Sequence, residues 1–286
     1  MFNIRTIKNK IQSISNTQKI TKTMEMVSAS KMKKNQVYMF SGTPYLKLIK
    51  KIVNNTISIK RFSKSIFFKK KNTKKVYFVI LSSDKGLCGS LNTNLFKKIL
   101  INIKKHIKKK ILVELIIFGK KAINFFGKIK KIKILKKIYN IGDFPSFYQI
   151  KKNIKVILKH YKLGKINKIL IAYNKFINNI SSKPLIKQLL PLIKKENCEK
   201  KIFDYLYEPN SKYLFNKIIC KYINFYIFQC VLENISSEQS SRMLAMKIAN
   251  DNSINYIKKL QLSYNKVRQS IITQEINEII SGSSAN

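Results

Sequence analysis

Apolar residues at the start of the chain recur at a helical spacing. Ile4, Ile7, Ile11 and Ile14 step by three, four and three residues, the interval that keeps side chains on one face of an α-helix. Gln18 and Thr21 then fall on that stripe, and the apolar series resumes one residue out of register at Ile20, Met24 and Val27. Near the other end, positions 243, 246, 250, 253, 257, 260, 264, 267 and 271 alternate steps of three and four. They read Met, Met, Asn, Ser, Ile, Leu, Tyr, Val and Ile. That is the seam of a coiled coil with a polar patch at Asn250 and Ser253, a feature that weakens packing and fixes register.

The middle of the chain has a different pattern. Short apolar runs occur from Val76 to Leu81, from Ile111 to Phe118 and from Lys168 to Tyr173, with helical patterns at 91–108 and 145–162 between them. Such alternation predicts a parallel sheet with crossover helices. The stretch 183–192 adds a further candidate strand, and the polar, lysine-rich segment 54–75 reads as a loop.

Glycine and proline sharpen this division. All eight glycines and five prolines lie between 42 and 209 except Gly282, so residues 1–41 and 210–281 contain no helix breaker. Two long helices flanking a compact middle follow. At about 1.5 Å per residue they reach roughly 60 and 110 Å. A two-helix coil covers only the shared length, so the second helix either overhangs or breaks and turns back. Its last part carries Ile271, Ile272, Ile276, Ile279 and Ile280, which point in several directions around the axis. One partner helix cannot bury them all, and something outside the chain is expected to sheathe the tip.

Charge changes the picture less than its size suggests. The 286 residues hold 58 Lys plus Arg against 13 Asp plus Glu, a net charge of +45. Only Arg5, Arg61, Arg242 and Arg268 are arginines; nucleic-acid readers favour arginine for bidentate contacts. Lys, Ile and Asn abound, as expected from an A/T-biased genome. Residues 1–41 carry a net +7, 210–286 a net +4 and the middle +34. Binding of a phosphate backbone by that middle region remains an alternative.

Chemistry is sparse. Cys88, Cys198, Cys220 and Cys230 show no CxxC spacing, and His106 and His160 lie far from them in lysine-rich helical patterns, so a zinc site is not expected. No apolar stretch is long enough for a membrane-spanning helix and no secretory signal is apparent. A glycine turn, Ser82-Ser83-Asp84-Lys85-Gly86-Leu87-Cys88-Gly89-Ser90, follows the first strand, where a doubly wound domain would seat a phosphate. Its GxxG spacing does not complete GxGxxG, and no GxxxxGK[ST] occurs. Neither histidine is placed to activate Cys88. A dinucleotide-dependent enzyme is the third reading.

The run Thr17-Gln18-Lys19-Ile20-Thr21-Lys22-Thr23-Met24-Glu25-Met26-Val27-Ser28-Ala29-Ser30-Lys31-Met32 resembles a signature of the gamma subunits of F-type ATP synthases, bacterial type. So do Leu262-Ser263-Tyr264-Asn265-Lys266-Val267-Arg268-Gln269 through Ile272-Thr273-Gln274-Glu275-Ile276 to Glu278-Ile279, the turn from Asp84 to Asn92, and Asp204-Tyr205-Leu206-Tyr207-Glu208-Pro209. The resemblance covers the whole chain in order. Ser90 stands where many members have a second glycine.

The resemblance implies a mixed α+β and α/β fold. A long antiparallel coiled coil of N- and C-terminal helices would join a Rossmann-like α/β domain without nucleotide. The segments would be 1–55, 75–205 and 210–286, the coiled-coil domain being discontinuous. It implies a central-stalk rotor shaft with no active site, cofactor or metal of its own, one copy per complex. Proton-driven rotation of the c-ring would be coupled through it to the beta catalytic sites. The partners implied are the alpha and beta subunits, the epsilon subunit and the c-ring, with no nucleic acid. The location implied is peripheral, at the cytoplasmic face of the bacterial inner membrane. Residue by residue, Met24, Arg242, Arg268, Gln269, Thr273, Glu275, Ile276 and Ile279 match positions that meet the alpha–beta head. Tyr205, Tyr207 and Glu208 match the foot on the c-ring.

Overall fold

The computed structural model describes residues 4–58, 65–68, 74–129, 132–192, 208 and 210–284. The elements are α1 (Ile4–Ser58), β1 (Lys75–Leu81), α2 (Leu91–Lys108), β2 (Leu112–Phe118), α3 (Lys120–Phe126), β3 (Lys133–Ile138), α4 (Phe147–Lys162), β4 (Lys168–Phe176), β5 (Ser182–Leu190) and α5 (Ser211–Ser284). Two compact units emerge, Ser30–Ser241 and the pair of segments Met1–Ala29 and Arg242–Asn286.

The unit Ser30–Ser241 is organised by a five-stranded sheet of order β3-β2-β1-β4-β5. β1 pairs in parallel with β2 and β4, β3 lies parallel to β2, and β5 runs antiparallel to β4. Alternate residues of β1 serve opposite cores. Val76, Phe78 and Ile80 pack with Leu95, Ile99 and Ile103 of α2 and Phe126 of α3. Tyr77, Val79 and Leu81 pack with Ile150, Ile154 and Ile157 of α4 and Phe215, Ile219, Ile223 and Ile227 of α5. Helices cover both faces, which is why the central strands are apolar without alternation.

Two elements escape the sequence pattern. β3 is an edge strand whose burial alternates and which carries Lys133, Lys136 and Lys137; its lysines mask its strand character. α3 has seven residues between Gly119 and Gly127, too few for a helical period to register.

α1 runs on past the breaker-free stretch, through Gly42 and Pro44 to Ser58. A glycine costs about 1 kcal/mol and an interior proline about 3 kcal/mol relative to alanine. Ile49 and Val53 beyond them are 6% and 2% exposed in the core. Burying two such side chains is worth about 1.5–3 kcal/mol each, enough to offset the breakers. The expected loop over 54–75 therefore begins later than the sequence suggests. Within it Phe67 is 2% exposed.

In the other unit α1 and α5 form an antiparallel coiled coil. Positions 4, 7, 11, 14, 18, 21, 25 and 28 of α1 are all buried or half-buried. So are all the expected α5 seam positions from 243 to 267. The expected shift of register at Ile20 and Val27 is corrected: these residues are 60% and 45% exposed. The stripe continues instead through its polar members. Gln18 Nε2 donates to Asn250 Oδ1 at 2.8 Å, and Thr21 Oγ1 donates to the Gln18 carbonyl at 2.9 Å. Polar groups that satisfy one another can occupy a seam that apolar spacing alone would not assign to them.

Candidate functional site

The crevice at the carboxyl end of β1 is where a doubly wound sheet would take a nucleotide. Here the chain's own groups fill it. Asp84 Oδ1 accepts from the Lys120 backbone N–H and Asp84 Oδ2 from that of Ile141, both at 3.0 Å. The one acid of the glycine turn thus ties the start of α3 to the segment after β3. Ser82 Oγ donates to the Phe118 carbonyl at 3.0 Å and accepts from the Ala122 N–H at 3.1 Å. Asn92 Nδ2 donates to Ser83 Oγ at 2.7 Å and to Cys88 Sγ at 3.2 Å. Cys88 is 3% exposed, so its thiol is a packed group and not a presented nucleophile. The space left beside Ser82, Asp84, Asn234 and Glu238 is about 80 Å³, whereas small-molecule sites run to about 300–1,000 Å³.

A polar run of α5 closes the crevice. Asn234, Ser236, Ser237, Glu238, Gln239 and Ser240 are buried. Asn234 Oδ1 accepts from the Asn174 backbone N–H at 3.1 Å and Ser237 Oγ donates to the Asn174 carbonyl at 3.2 Å. Gln239 Nε2 donates to Asp143 Oδ1 at 3.0 Å, and Lys31 Nζ pairs with Asp143 Oδ2 at 2.6 Å. Ser240 Oγ donates to the Asn179 carbonyl, and Gln36 Nε2 reaches Asn179 Oδ1 at 2.7 Å. Helices α1 and α5 are thereby bolted to the loops after β3 and β4. No motif marks this run; its signal in the sequence is the polar stretch Ser236–Arg242, with Asn234 before it across Ile235, inside a long helix.

The end of α5 is the opposite case. With Gln18 against Asn250, the antiparallel seam brings the start of α1 level with residue 264 or so. Every residue from 268 to 283 is exposed. α5 does not break; it overhangs as one helix. Ile276 and Ile279 are 50% and 72% exposed. Arg268, Gln269, Thr273 and Glu275 lie on the same overhang and are exposed too. Thr273 Oγ1 donates back to the Gln269 carbonyl at 2.9 Å, which keeps its hydroxyl within the helix's own bonding.

A family model described as ATP synthase matches residues 3–285. The ATP synthase gamma chain of Buchnera aphidicola subsp. Acyrthosiphon pisum (strain Tuc7) is 46% identical over all of this chain and 99% of its own length. That of Pasteurella multocida (strain Pm70) is 42% identical over the full length of both. The chain belongs to the ATP synthase gamma-chain family. Its fold is shared with solved assemblies. A chain of the Euglena gracilis mitochondrial ATP synthase (OSCP/F1/c-ring, rotational state 3) aligns with a TM-score of 0.68 at 19% identity, covering 99% of this chain and 94% of that one. A chain of the Tetrahymena thermophila mitochondrial ATP synthase central stalk and c-ring aligns with a TM-score of 0.62 at 24% identity, over 80% and 99%.

As a gamma chain, it places the expected residues in three groups. Arg268, Gln269, Thr273, Glu275, Ile276 and Ile279 come together on the overhang. Met24 is half-buried and Arg242 is 6% exposed; the seam sets them near one level of the coil, well before the overhang. Arg242, which the resemblance groups with Glu275, is buried in the coil, whereas Glu275 is exposed on the overhang. Tyr205 and Tyr207 lie outside the described residues, and Glu208 is exposed. No helix among the described residues is long and apolar enough to cross a membrane.

Proposed function

We propose that this gamma chain is the non-catalytic shaft of a rotary, proton-translocating ATP synthase. The observation that carries this reading is the overhang of α5, a single helix with isoleucines exposed on several sides beyond the end of its partner. An isolated helix bearing such residues gains by burial in a sleeve of other chains. The alpha and beta subunits supply that sleeve. Apolar contacts lack directional bonds, so the tip turns without breaking a fixed set of them. Arg268, Gln269 and Thr273 add polar contacts that distinguish one beta conformation from another. Energy passes as differential contact with those conformations, since a partner biases an equilibrium only by binding its states unequally. Met24 and Arg242 act lower on the shaft.

The base of the shaft engages the epsilon subunit and the c-ring, with Tyr205, Tyr207 and Glu208 at the foot. The complex holds one copy, on the cytoplasmic face of the inner membrane. The clamp from Asn234 to Ser240 supports this role by fixing both long helices to the sheet, so that torque applied to the base reaches the helices.

Reconstitution tests the proposal. The full chain is mixed with its alpha and beta subunits at physiological salt, and assembly mass and ATPase rate are measured. One copy per three alpha–beta pairs, with activity dependent on the chain, is the expected result. Failure to assemble, with tight binding to nucleic acid at the same salt, would overturn it in favour of the polyanion reading.

A further inference from the structure

In the unit Ser30–Ser241 the parallel strands β1, β2, β3 and β4 all begin at one end of the sheet, and α2, α3 and α4 all finish there. That end is a lysine surface. Lys108, Lys109 and Lys110 lead from α2 into β2, Lys128 follows α3, and Lys162 and Lys165 lead from α4 towards β4; all six are exposed. Aliphatic side chains stand open among them, Ile107 at 48%, Leu112 at 68% and Leu163 at 60% exposure. We propose that this end of the unit docks on a membrane surface of anionic phospholipid.

A biased genome sets how many lysines a chain has, not where they gather. At the opposite end of the same sheet the connections 82–90, 139–146 and 177–181 hold one lysine, Lys85, beside Asp84 and Asp143. A helix dipole favours cations within its last turn, which accounts for Lys108 and Lys162 but not for Lys110, Lys128 or Lys165. Among the described residues no ion pair engages any of the six. Glu114, near the start of β2, is 7% exposed and already bound to Lys75 at 2.7 Å.

The two main turns of this surface are built alike. Ile111 N–H donates to the His106 carbonyl at 3.1 Å and Lys110 N–H to that of Ile107 at 2.9 Å; Lys165 N–H donates to the His160 carbonyl at 3.1 Å and Gly164 N–H to that of Tyr161 at 3.0 Å. Such a cap needs one residue of positive φ. After α4 it is Gly164 at +72°, but after α2 it is Lys110 at +57°, a lysine where glycine is easiest. The start of β1 joins the turns: Leu112 N–H donates to the Lys74 carbonyl at 3.0 Å and Asn167 N–H to that of Lys75 at 3.1 Å. The chemistry favours lipid over nucleic acid. Residues 107–112 and 162–165 hold no arginine to grip a base edge and no aromatic ring to stack on one. Aliphatic side chains beside lysine stems suit the boundary between headgroups and acyl chains.

The inference does not depend on the shaft reading, and its test uses the isolated full chain. Co-sedimentation is measured with vesicles of phosphatidylcholine, alone or mixed three parts to one with phosphatidylglycerol. At about 0.15 M salt the Debye length is about 8 Å. The seven residues of β1, at about 3.3 Å each, set the ends of the sheet roughly 23 Å apart, so lysines at the far end report only bulk attraction to a basic protein. A Lys109→Gln/Lys110→Gln/Lys165→Gln variant should bind the mixed vesicles at least tenfold more weakly, since each lysine against an anionic surface is worth about fivefold. A Lys85→Gln/Lys120→Gln/Lys121→Gln variant should lose less than threefold. Leu112→Ser with Leu163→Ser should lose threefold or more on vesicles and leave binding to duplex DNA unchanged. Lys110→Gly should raise the melting temperature yet weaken vesicle binding, a split that a merely structural lysine would not give. Melting temperature is the folding control throughout. Equal losses in the two lysine triples, or no preference for the mixed vesicles, overturns the proposal. Vesicle binding indifferent to the leucines, with equal losses on DNA and on vesicles in the first triple, also overturns it, by making a nucleic acid the occupant.

Discussion

Asn234 on α5 accepts two hydrogen bonds from Asn174 at the end of β4, from the backbone N–H at 3.1 Å and from Nδ2 at 3.2 Å, through one oxygen, Oδ1. Both residues are nearly inaccessible to solvent. A side chain in the middle of a 74-residue helix thus completes the hydrogen bonding of a strand in the central sheet. The helix is part of the body there.

Asn234→Ala removes the acceptor and leaves the Asn174 N–H buried without it. Such a loss costs about 1–3 kcal/mol, and each kcal/mol lowers the melting temperature of a unit this size by about 2–4 °C. Ser236→Ala is the internal control. Ser236 is equally buried, but its hydroxyl has no partner, so its removal is expected to be neutral or slightly stabilising. Thermal unfolding of the two variants checks the contrast.

The same clamp shows what was and was not legible in the sequence. The strands at the centre of the sheet, α2 and the α5 seam were readable because each repeats one physical rule over many residues. The overhang was readable from isoleucines that a single partner helix could not cover. The clamp was not, since buried serines and amides follow no period and their partners at Asn174, Asn179 and Asp143 lie far away in sequence. Gln18 misled for a related reason. An amide that finds Asn250 can sit in the seam, and the neighbouring Ile20 is then left facing outward.

Gly119 opens α3 with φ of +100°, a backbone conformation that side chains with a Cβ rarely adopt. A Cβ there would also run into the Ser82 carbonyl, which leaves no room for relaxation between β1 and α3. Gly119→Ala is expected to destabilise the chain by at least about 2 kcal/mol, from backbone strain alone. Gly142 has φ of +77° but open space around it, so Gly142→Ala should cost less. Urea midpoints of the pair check the order.

Alkaline stability reports on two buried phenols. Burial, and after it the charge of Glu114, pushes Tyr77 up to about 12; burial alone pushes Tyr161 up to about 12. Unfolded tyrosines titrate near 10. The folded chain therefore holds these protons more tightly, and the stability they contribute is full below about pH 10 and lost as pH rises through about 12. A Tyr77→Phe/Tyr161→Phe variant should show a shallower loss between those limits than the parent. Urea midpoints across that range, with lysine titration common to both proteins, isolate the difference.

The overhang separates assembly from coupling. Ile276→Asp with Ile279→Asp places charges where burial is proposed. Neither side chain has a role in the packed cores, so the melting temperature of the chain should stay within about 1 °C while assembly with the head is lost. Arg268→Ala with Gln269→Ala leaves the isoleucines in place. That variant should assemble at normal stoichiometry, yet its ATPase rate in the complex should fall by tenfold or more. Each missing charge-assisted contact of about 1.5–3 kcal/mol corresponds to roughly tenfold to a hundredfold in a rate limited by it. Full activity would remove Arg268 and Gln269 from the coupling contacts. Normal assembly of the aspartate pair would mean that the isoleucines turn in open water, and the apolar tip would then lose its explanation as a bearing surface.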